Sequence, residues 1–219
     1  MRRAALPPHP PQLPVELTGI EIAALANDAT YAETELRDVE LPEQRARGVS
    51  FDTVKLTKVD LSGSRLEHLS LTDGRLIGCN LANLQARGAD ATRLQIETSR
   101  LTGIALNEAV LYDLTVQGCR IDLASFGFSR LTRVTFDDCL LVQTDFLEAQ
   151  LDSVRFHDCD LSGADFRGAR LHSCEFRRSD LSGLHGVQSL RGSAMEWADI
   201  VGQVGLWAGA LGIETLDVD

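Results

Sequence analysis

The residues best equipped for covalent or metal chemistry are five cysteines, Cys79, Cys119, Cys139, Cys159 and Cys174, with His68, His157 and His172. A thiolate binds soft metals and attacks electrophiles, and a neighbouring imidazole would activate it. His172-Ser173-Cys174 invites that reading. No Cys-x-x-Cys pair, Cys/His cluster, Gly-rich phosphate loop or paired acid/base constellation supports it. The expectation is a chain that is not an enzyme and uses no cofactor and no metal. The cysteines then serve as small buried apolar residues, and their odd number argues against a disulfide framework.

A second candidate chemistry is charge. Asp137, Asp138, Asp145, Glu148, Asp152, Asp158, Asp160 and Asp165 crowd the segment 137–165 against Arg155 alone. Arg130 and Arg133 precede this band, and Arg167, Arg170, Arg177 and Arg178 follow it. The net charge of the chain is −11, yet residues 47–185 hold 16 basic against 19 acidic residues, so most of the excess lies towards the ends. An acidic face of this kind suits a basic protein surface. Direct binding of nucleic acid is disfavoured, because no basic stripe with interleaved aromatics occurs.

The element that must position these groups is a repeat. Every fifth residue from Phe51 to Leu181 is apolar. Two places before each such centre sits a residue that is usually small and never charged, as at Val54, Cys79, Ala89, Ser99 and Ala164. A period of five fits neither a helix nor a flat strand. It fits a chain that turns a corner every five residues and stacks on itself, with both residue sets pointing into a narrow interior. Gly recurs two places after the centre, as at Gly63 and Gly103, where a tight turn needs positive φ.

The stretches Asp60-Leu-Ser-Gly, Cys79-Asn-Leu-Ala-Asn, Cys159-Asp-Leu-Ser-Gly-Ala-Asp-Phe-Arg-Gly-Ala and Ser179-Asp-Leu-Ser-Gly resemble the pentapeptide-repeat motif A-(D/N)-L-x-x. The resemblance implies an all-β solenoid, a right-handed quadrilateral β-helix with four pentads per coil. At a strand spacing of ~4.8 Å the repeat would stand about 30 Å tall. Twenty residues per coil place Cys79, Cys119, Cys139 and Cys159 in one column. They also stack Phe126, Phe146 and Phe166 on one side and Phe136, Phe156 and Phe176 on the opposite side. Packing should thin around Ala86, Ala91 and Ile96. Some members of the family mimic duplex DNA and bind type II topoisomerases such as DNA gyrase, which confers quinolone or toxin resistance. The first expectation is a rigid protein-interaction scaffold. The alternative is such a DNA mimic, with the band 137–165 as the partner-binding face.

Leu123, Phe128, Leu140, Val142 and Leu147 break the rule that outward positions are polar. They should form one exposed apolar patch, with Tyr112 near it, of the kind that marks an interaction site.

The chain divides into a Pro-rich arm with a short helix (1–28), the repeat (29–185, regular from 49) and a C-terminal amphipathic helix with a tail (186–219). Thr18-Gly-Ile-Glu21 reads as a capping box opening a helix over 19–27, after an extended or disordered stretch at 7–14. Pro42 and Gln44 should make 29–48 an irregular first coil. Ser193-Ala-Met-Glu196 opens a helix over about 194–211, and Ile213–Leu216 follows as a short strand. That helix either caps the open end of the solenoid or pairs with a second copy through Trp197, Val204, Trp207 and Leu211. With no signal-peptide core and no apolar run of membrane-spanning length, a cytoplasmic location and no membrane contact are expected.

Overall fold

The computed structural model describes residues 4–214. Eight rungs begin at Thr30, Ser50, Ser70, Asp90, Val110, Arg130, Gln150 and Arg170. Each lies parallel to the next with a register of twenty residues. Isolated parallel bridges repeat the same register on the other sides, as in Asp60↔Asn80 and Ser125↔Asp145. Backbone groups therefore pair between coils, and among the described rungs only the two ends leave an edge to cover.

The corners follow from one backbone state. The residue two places after each centre is left-handed, whether it is Gly63 (φ 66°), Asp73 (φ 50°), Asn83 (φ 57°) or Arg133 (φ 52°). On several sides the turn also closes a hydrogen bond, with the Ser64 N–H donating to the Leu61 carbonyl at 3.2 Å. The first coil is regular, contrary to the expectation for 29–48. Thr30–Arg37 pairs with Ser50–Thr57, and Arg45–Arg47 pairs with Arg65–Glu67. Pro42 fits because it occupies the place before left-handed Glu43 (φ 56°), where a turn wants φ near −65°. Gln44 fits because it lies at the capped end, where its Oε1 accepts the Leu25 N–H at 3.1 Å.

Both inward sets form one continuous core. Phe126, Phe146 and Phe166 stack at 5.2 and 4.7 Å, and Phe136, Phe156 and Phe176 at 5.2 and 5.0 Å. The two stacks meet edge to face across the interior, as between Phe146 and Phe156 at 5.8 Å. Between Phe51 and Phe126 no phenylalanine reaches the middle. An apolar cavity of about 70 Å³ remains there, lined by residues that include Leu71, Ala89, Ala91, Ile96 and Leu111. This is the thinner packing that the small centres imply.

The ends differ from expectation. No helix forms over 19–27: Thr18–Gly19 pairs with Thr34–Glu35, and Ile20, Ile22 and Leu25 fold over the first rung. The open edge of that rung offers backbone partners that outweigh a capping-box signature. At the other end Val187–Leu190 is a 3₁₀ turn and Ala194–Met195 pairs with Glu175–Phe176. Gly186 (φ 76°) makes the exit possible, since a Cβ there would lie 2.4 Å from the Arg167 nitrogen. The expected single helix over 194–211 is two short ones, Trp197–Gly202 and Val204–Ala210, broken at Gln203. Its start moves because the Ala194 N–H donates to the Cys174 carbonyl at 2.9 Å, and Glu196 makes no side-chain cap. Ile213 and Glu214 are not strand, and the rest of the expected strand lies outside the described residues. Among the described residues no helix is long and apolar enough to cross a membrane.

Candidate functional site

Four of the thiols, Cys79, Cys119, Cys139 and Cys159, share a column but do not form a reactive centre. All five cysteines are free and buried. Each Sγ donates to carbonyl oxygen, Cys119 to Gln117 at 3.3 Å and Cys159 to His157 at 3.1 Å. Ser99 and Ser179 in the same column do likewise, donating to the Glu97 and Arg177 carbonyls at 2.8 and 3.0 Å, which explains why serine and cysteine replace one another there. Burial pushes the Cys79 thiol up, and takes Cys174 to about 11. Cys174 points inward while His172 is exposed, so the two do not form a dyad. Among the described residues no group of His, Cys, Asp or Glu is arranged to hold a metal ion.

The outward apolar residues do gather. The Leu123 N–H donates to the Val142 carbonyl at 2.9 Å, and the Phe128 N–H donates to the Leu147 carbonyl at 2.8 Å. The Ile121 N–H bonds the Leu140 carbonyl at 2.7 Å. These contacts set the five residues on two successive coils, at and between two neighbouring corners. Leu123 is 59% exposed, Phe128 53% and Leu140 40%, while Val142 and Leu147 are half-buried. Tyr112 is not part of the patch. It stands on another side, where the Arg133 guanidinium lies 4.0 Å from its ring centre.

The backbone makes this patch unusual. Leu123 (φ 58°) and Phe128 (φ 59°) are left-handed corner residues. The other non-glycine residues at such corners, among them Glu43, Lys58, His68, Asp113, Gln143 and Ser173, are polar or charged. A bulky apolar residue there is unfavourable for the backbone and for solvation together.

The eight carboxylates of the band do not share one side. Asp145 and Asp165 stack beside the patch, and Glu148 follows Leu147 at the same corner as Phe128. Asp145 accepts the Ser125 hydroxyl at 3.0 Å and the Leu147 N–H at 2.7 Å. Asp160 lies next to Leu140 in the neighbouring column. Asp152 pairs in register with Thr132 and His172 on a different side. Asp137, Asp138 and Asp158 gather at yet another corner. Two members of the band are neutralised locally. Arg178 holds Asp158 through bonds of 2.6 and 2.7 Å, and Arg167 holds Asp165 at 2.6 Å; each guanidinium lowers its partner's pKa.

A third arrangement escaped the reading of the sequence. Asp73, Arg93, Asp113 and Arg133 are corner residues twenty apart and form an alternating column. Arg93 donates to both oxygens of Asp73 at 2.7 and 2.6 Å, and Arg133 to both of Asp113 at 2.6 and 2.8 Å. The Pro-rich arm lies along this column, so 7–14 is extended but held in place. The Gln12 N–H donates to Asp73 Oδ1 at 2.8 Å and the His9 N–H to Asp113 Oδ1 at 3.0 Å. His9 Nδ1 lies 3.0 Å from Asp113 Oδ2, and Arg155 donates to the Ala5 carbonyl. Burial opposes the Asp113 charge, but Arg133 and the His9 N–H outweigh it and hold its pKa at about 2. The signal available in the sequence was the alternation of Asp and Arg at a spacing of one coil.

Residues 117–185 match the family described as Pentapeptide repeat region. No curated protein matches the chain in sequence. Among solved structures, a trypsin-treated form of QnrB1, a plasmid-mediated fluoroquinolone resistance protein, is 17% identical, with 92% of this chain and 97% of that one covered and a TM-score of 0.47. Full-length QnrB1 is 16% identical, with coverage of 84% and 100% and a TM-score of 0.44. HetL, a pentapeptide repeat protein involved in heterocyst differentiation regulation from the cyanobacterium Nostoc sp. strain PCC 7120, is 19% identical, with coverage of 77% and 87% and a TM-score of 0.31. At these values the likeness concerns the solenoid and carries nothing about a partner. The family match covers residues 117–185, and the twenty-residue parallel register continues unbroken through the rungs before it, so the chain folds as a β-helix of five-residue repeats.

Proposed function

We propose that the protein is a non-catalytic, rigid scaffold that binds another protein through the corner patch of Leu123, Phe128, Leu140, Val142 and Leu147. The observation that carries this reading is the conformation of Leu123 and Phe128. The fold needs neither residue at its corner, since polar residues and glycine fill the equivalent corners at lower cost. A large side chain kept there at such a cost fits a residue that a partner covers. Asp145 and Glu148 beside the patch favour a partner with an apolar centre and a basic rim. A topoisomerase is one protein of that character, and the band 137–165 would then contribute its carboxylates from the patch side only.

The exposed apolar residues of the C-terminal helices extend the reading to a homodimer. Trp197 and Leu211 are each 77% exposed and Val204 is 64% exposed. A cytoplasmic setting accords with five free thiols.

The test is cross-linking of the full chain in its native cell, with the wild type and with Leu123→Asn/Phe128→Asn compared. The reading expects a protein captured by the wild type and lost with a variant that is no less stable. Equal capture by both would overturn it. Inhibition of gyrase supercoiling by the wild type, relieved in the variant, would identify the partner as a topoisomerase.

A further inference from the structure

The arm and the Asp/Arg column match each other in a way that packing alone does not require. The segment Leu6-Pro-Pro-His9-Pro-Pro-Gln12 is a triplet repeat, Pro-Pro-x, with x at Leu6, His9 and Gln12. Proline fixes its own φ and restricts the residue before it to extended backbone, which favours a polyproline II helix with three residues per turn over this segment. Three residues of that helix rise ~9.3 Å. The carboxylates they reach, Asp73 and Asp113, are two coils apart, which is about 9.6 Å at the spacing of a parallel sheet. One turn of the arm thus spans two coils of the rod. Proline lacks an N–H, so in this segment only Leu6, His9 and Gln12 carry one, and the last two donate to the column. Each carboxylate is fixed for the purpose by an arginine from the next coil.

The contacts are also separable from the core. Of the arm, Ala5 is buried, whereas Leu6, Val15 and the linking residues 14–16 are exposed. Gln12 touches Asp73 through its backbone N–H, and His9 touches Asp113 through its N–H and through a ring that is 69% exposed, so the backbone donors are common to both places and the imidazole adds to one. A channel that reads spacing and N–H groups at both places accepts other segments of the same backbone.

We propose that the corner lined by Asp73, Arg93, Asp113 and Arg133 is a binding channel for polyproline II segments. The chain's own residues 5–13 occupy it until a Pro-Pro-x segment of another protein displaces them. The required ligand has a non-proline residue every third place, at least two in succession, and no bulk between them that the rod would strike. The arm acts as a tethered competitor, so the channel opens only to a segment that binds better or is present at a local concentration that exceeds the tether's.

The test uses full-length protein in two forms, the wild type and a variant with Pro7→Gly, Pro8→Gly, Pro10→Gly and Pro11→Gly, which leaves the channel untouched. The probe is a fluorescent peptide with the sequence of residues 4–14, read by anisotropy. Saturable binding to the arm variant is expected below about 0.1 mM, a tenth of the roughly 1 mM effective concentration a short tether supplies, and with it at least about tenfold weaker binding to the wild type. A second peptide, carrying His9→Pro and Gln12→Pro, is more rigidly polyproline II but lacks both donors, and should bind at least tenfold more weakly. No saturation with the arm variant would overturn the channel, as would equal binding of the donor-free peptide. Equal binding to both proteins would overturn the competitor role of the arm. Dimers of the wild type that vanish in the arm variant would show that the displacing segment is the arm of a second copy, and would overturn the foreign partner.

Discussion

Arg133 and Asp113, one coil apart, are joined by hydrogen bonds of 2.6 and 2.8 Å, and the same carboxylate takes the His9 N–H at 3.0 Å. The acid is thereby held at a pKa of about 2, below the ordinary 3.8. A depressed folded-state pKa contributes stability that is present above the unfolded value and is lost as pH falls through the folded one. Arm docking should therefore be intact at pH 5 and should weaken between about pH 4 and pH 2. The backbone amide shifts of His9 and Gln12, followed by NMR on acidification, check this. A midpoint near the ordinary carboxylate value would mean that Arg133 and the arm do not hold Asp113.

Ala91 interrupts a column in which Leu71 lies on one side of it in register and Leu111 on the other. All three line the 70 Å³ cavity. At roughly 24 cal/mol per Å³ a void of this size costs about 1–2 kcal/mol. Ala91→Leu should recover about 1 kcal/mol and raise Tm by about 2–4 °C. Denaturant titration with an unchanged slope would verify it. A loss of stability would show that the cavity is too narrow for a leucine at this rung.

Much of this architecture was legible because it is local in period. An inward apolar residue once in five, and a small one two places earlier, required nothing beyond counting, as did the small centres around Ala91; the phenylalanine stacks followed only once the resemblance to pentapeptide repeats implied four pentads per coil. What escaped notice is non-local. Gln12 and His9 bond carboxylates 61 and 104 residues away, and a proline-rich stretch has no apolar periodicity to announce where it docks. The capping-box pattern at Thr18 was present and did not make a helix, because Ile20 bonds the exposed edge of the first rung through its N–H to the Glu35 carbonyl at 3.0 Å. The exposed patch was readable from parity alone. The left-handed state of Leu123 and Phe128 was readable too, since both occupy the corner place that glycine takes elsewhere in the repeat.

Phe126 and Phe128 stand two residues apart and should behave oppositely. Phe126 is buried and stacked on Phe146 at 5.2 Å. Phe126→Ala should cost about 3–5 kcal/mol. Phe128 is exposed and left-handed, a conformation that asparagine tolerates. Phe128→Asn should cost no stability and should raise it by up to about 1 kcal/mol, since asparagine relieves part of the left-handed strain. Thermal unfolding of both variants decides the matter. A large loss for Phe128→Asn would mean that the fold itself uses this ring, and the case for a partner at the corner would fall with it.

The C-terminal helices offer a similar contrast. Trp207 is half-buried against the core and its Nε1–H donates to the Ile200 carbonyl at 2.9 Å, so it belongs to the end cap. Trp197 and Leu211, each 77% exposed, are free for a second copy. If the proposed dimer forms through them, Leu211→Glu should weaken it at least about 30-fold, as loss of a central contact does, and leave the melting of the solenoid in place. Trp207→Glu should instead loosen the last rung, since it puts a charge against Leu190 and Met195 at the end of the core. Sedimentation equilibrium of the wild type and both variants separates these effects. A wild type that stays monomeric at high concentration, or a Leu211→Glu dimer as tight as the wild type, would leave the helices as a cap alone.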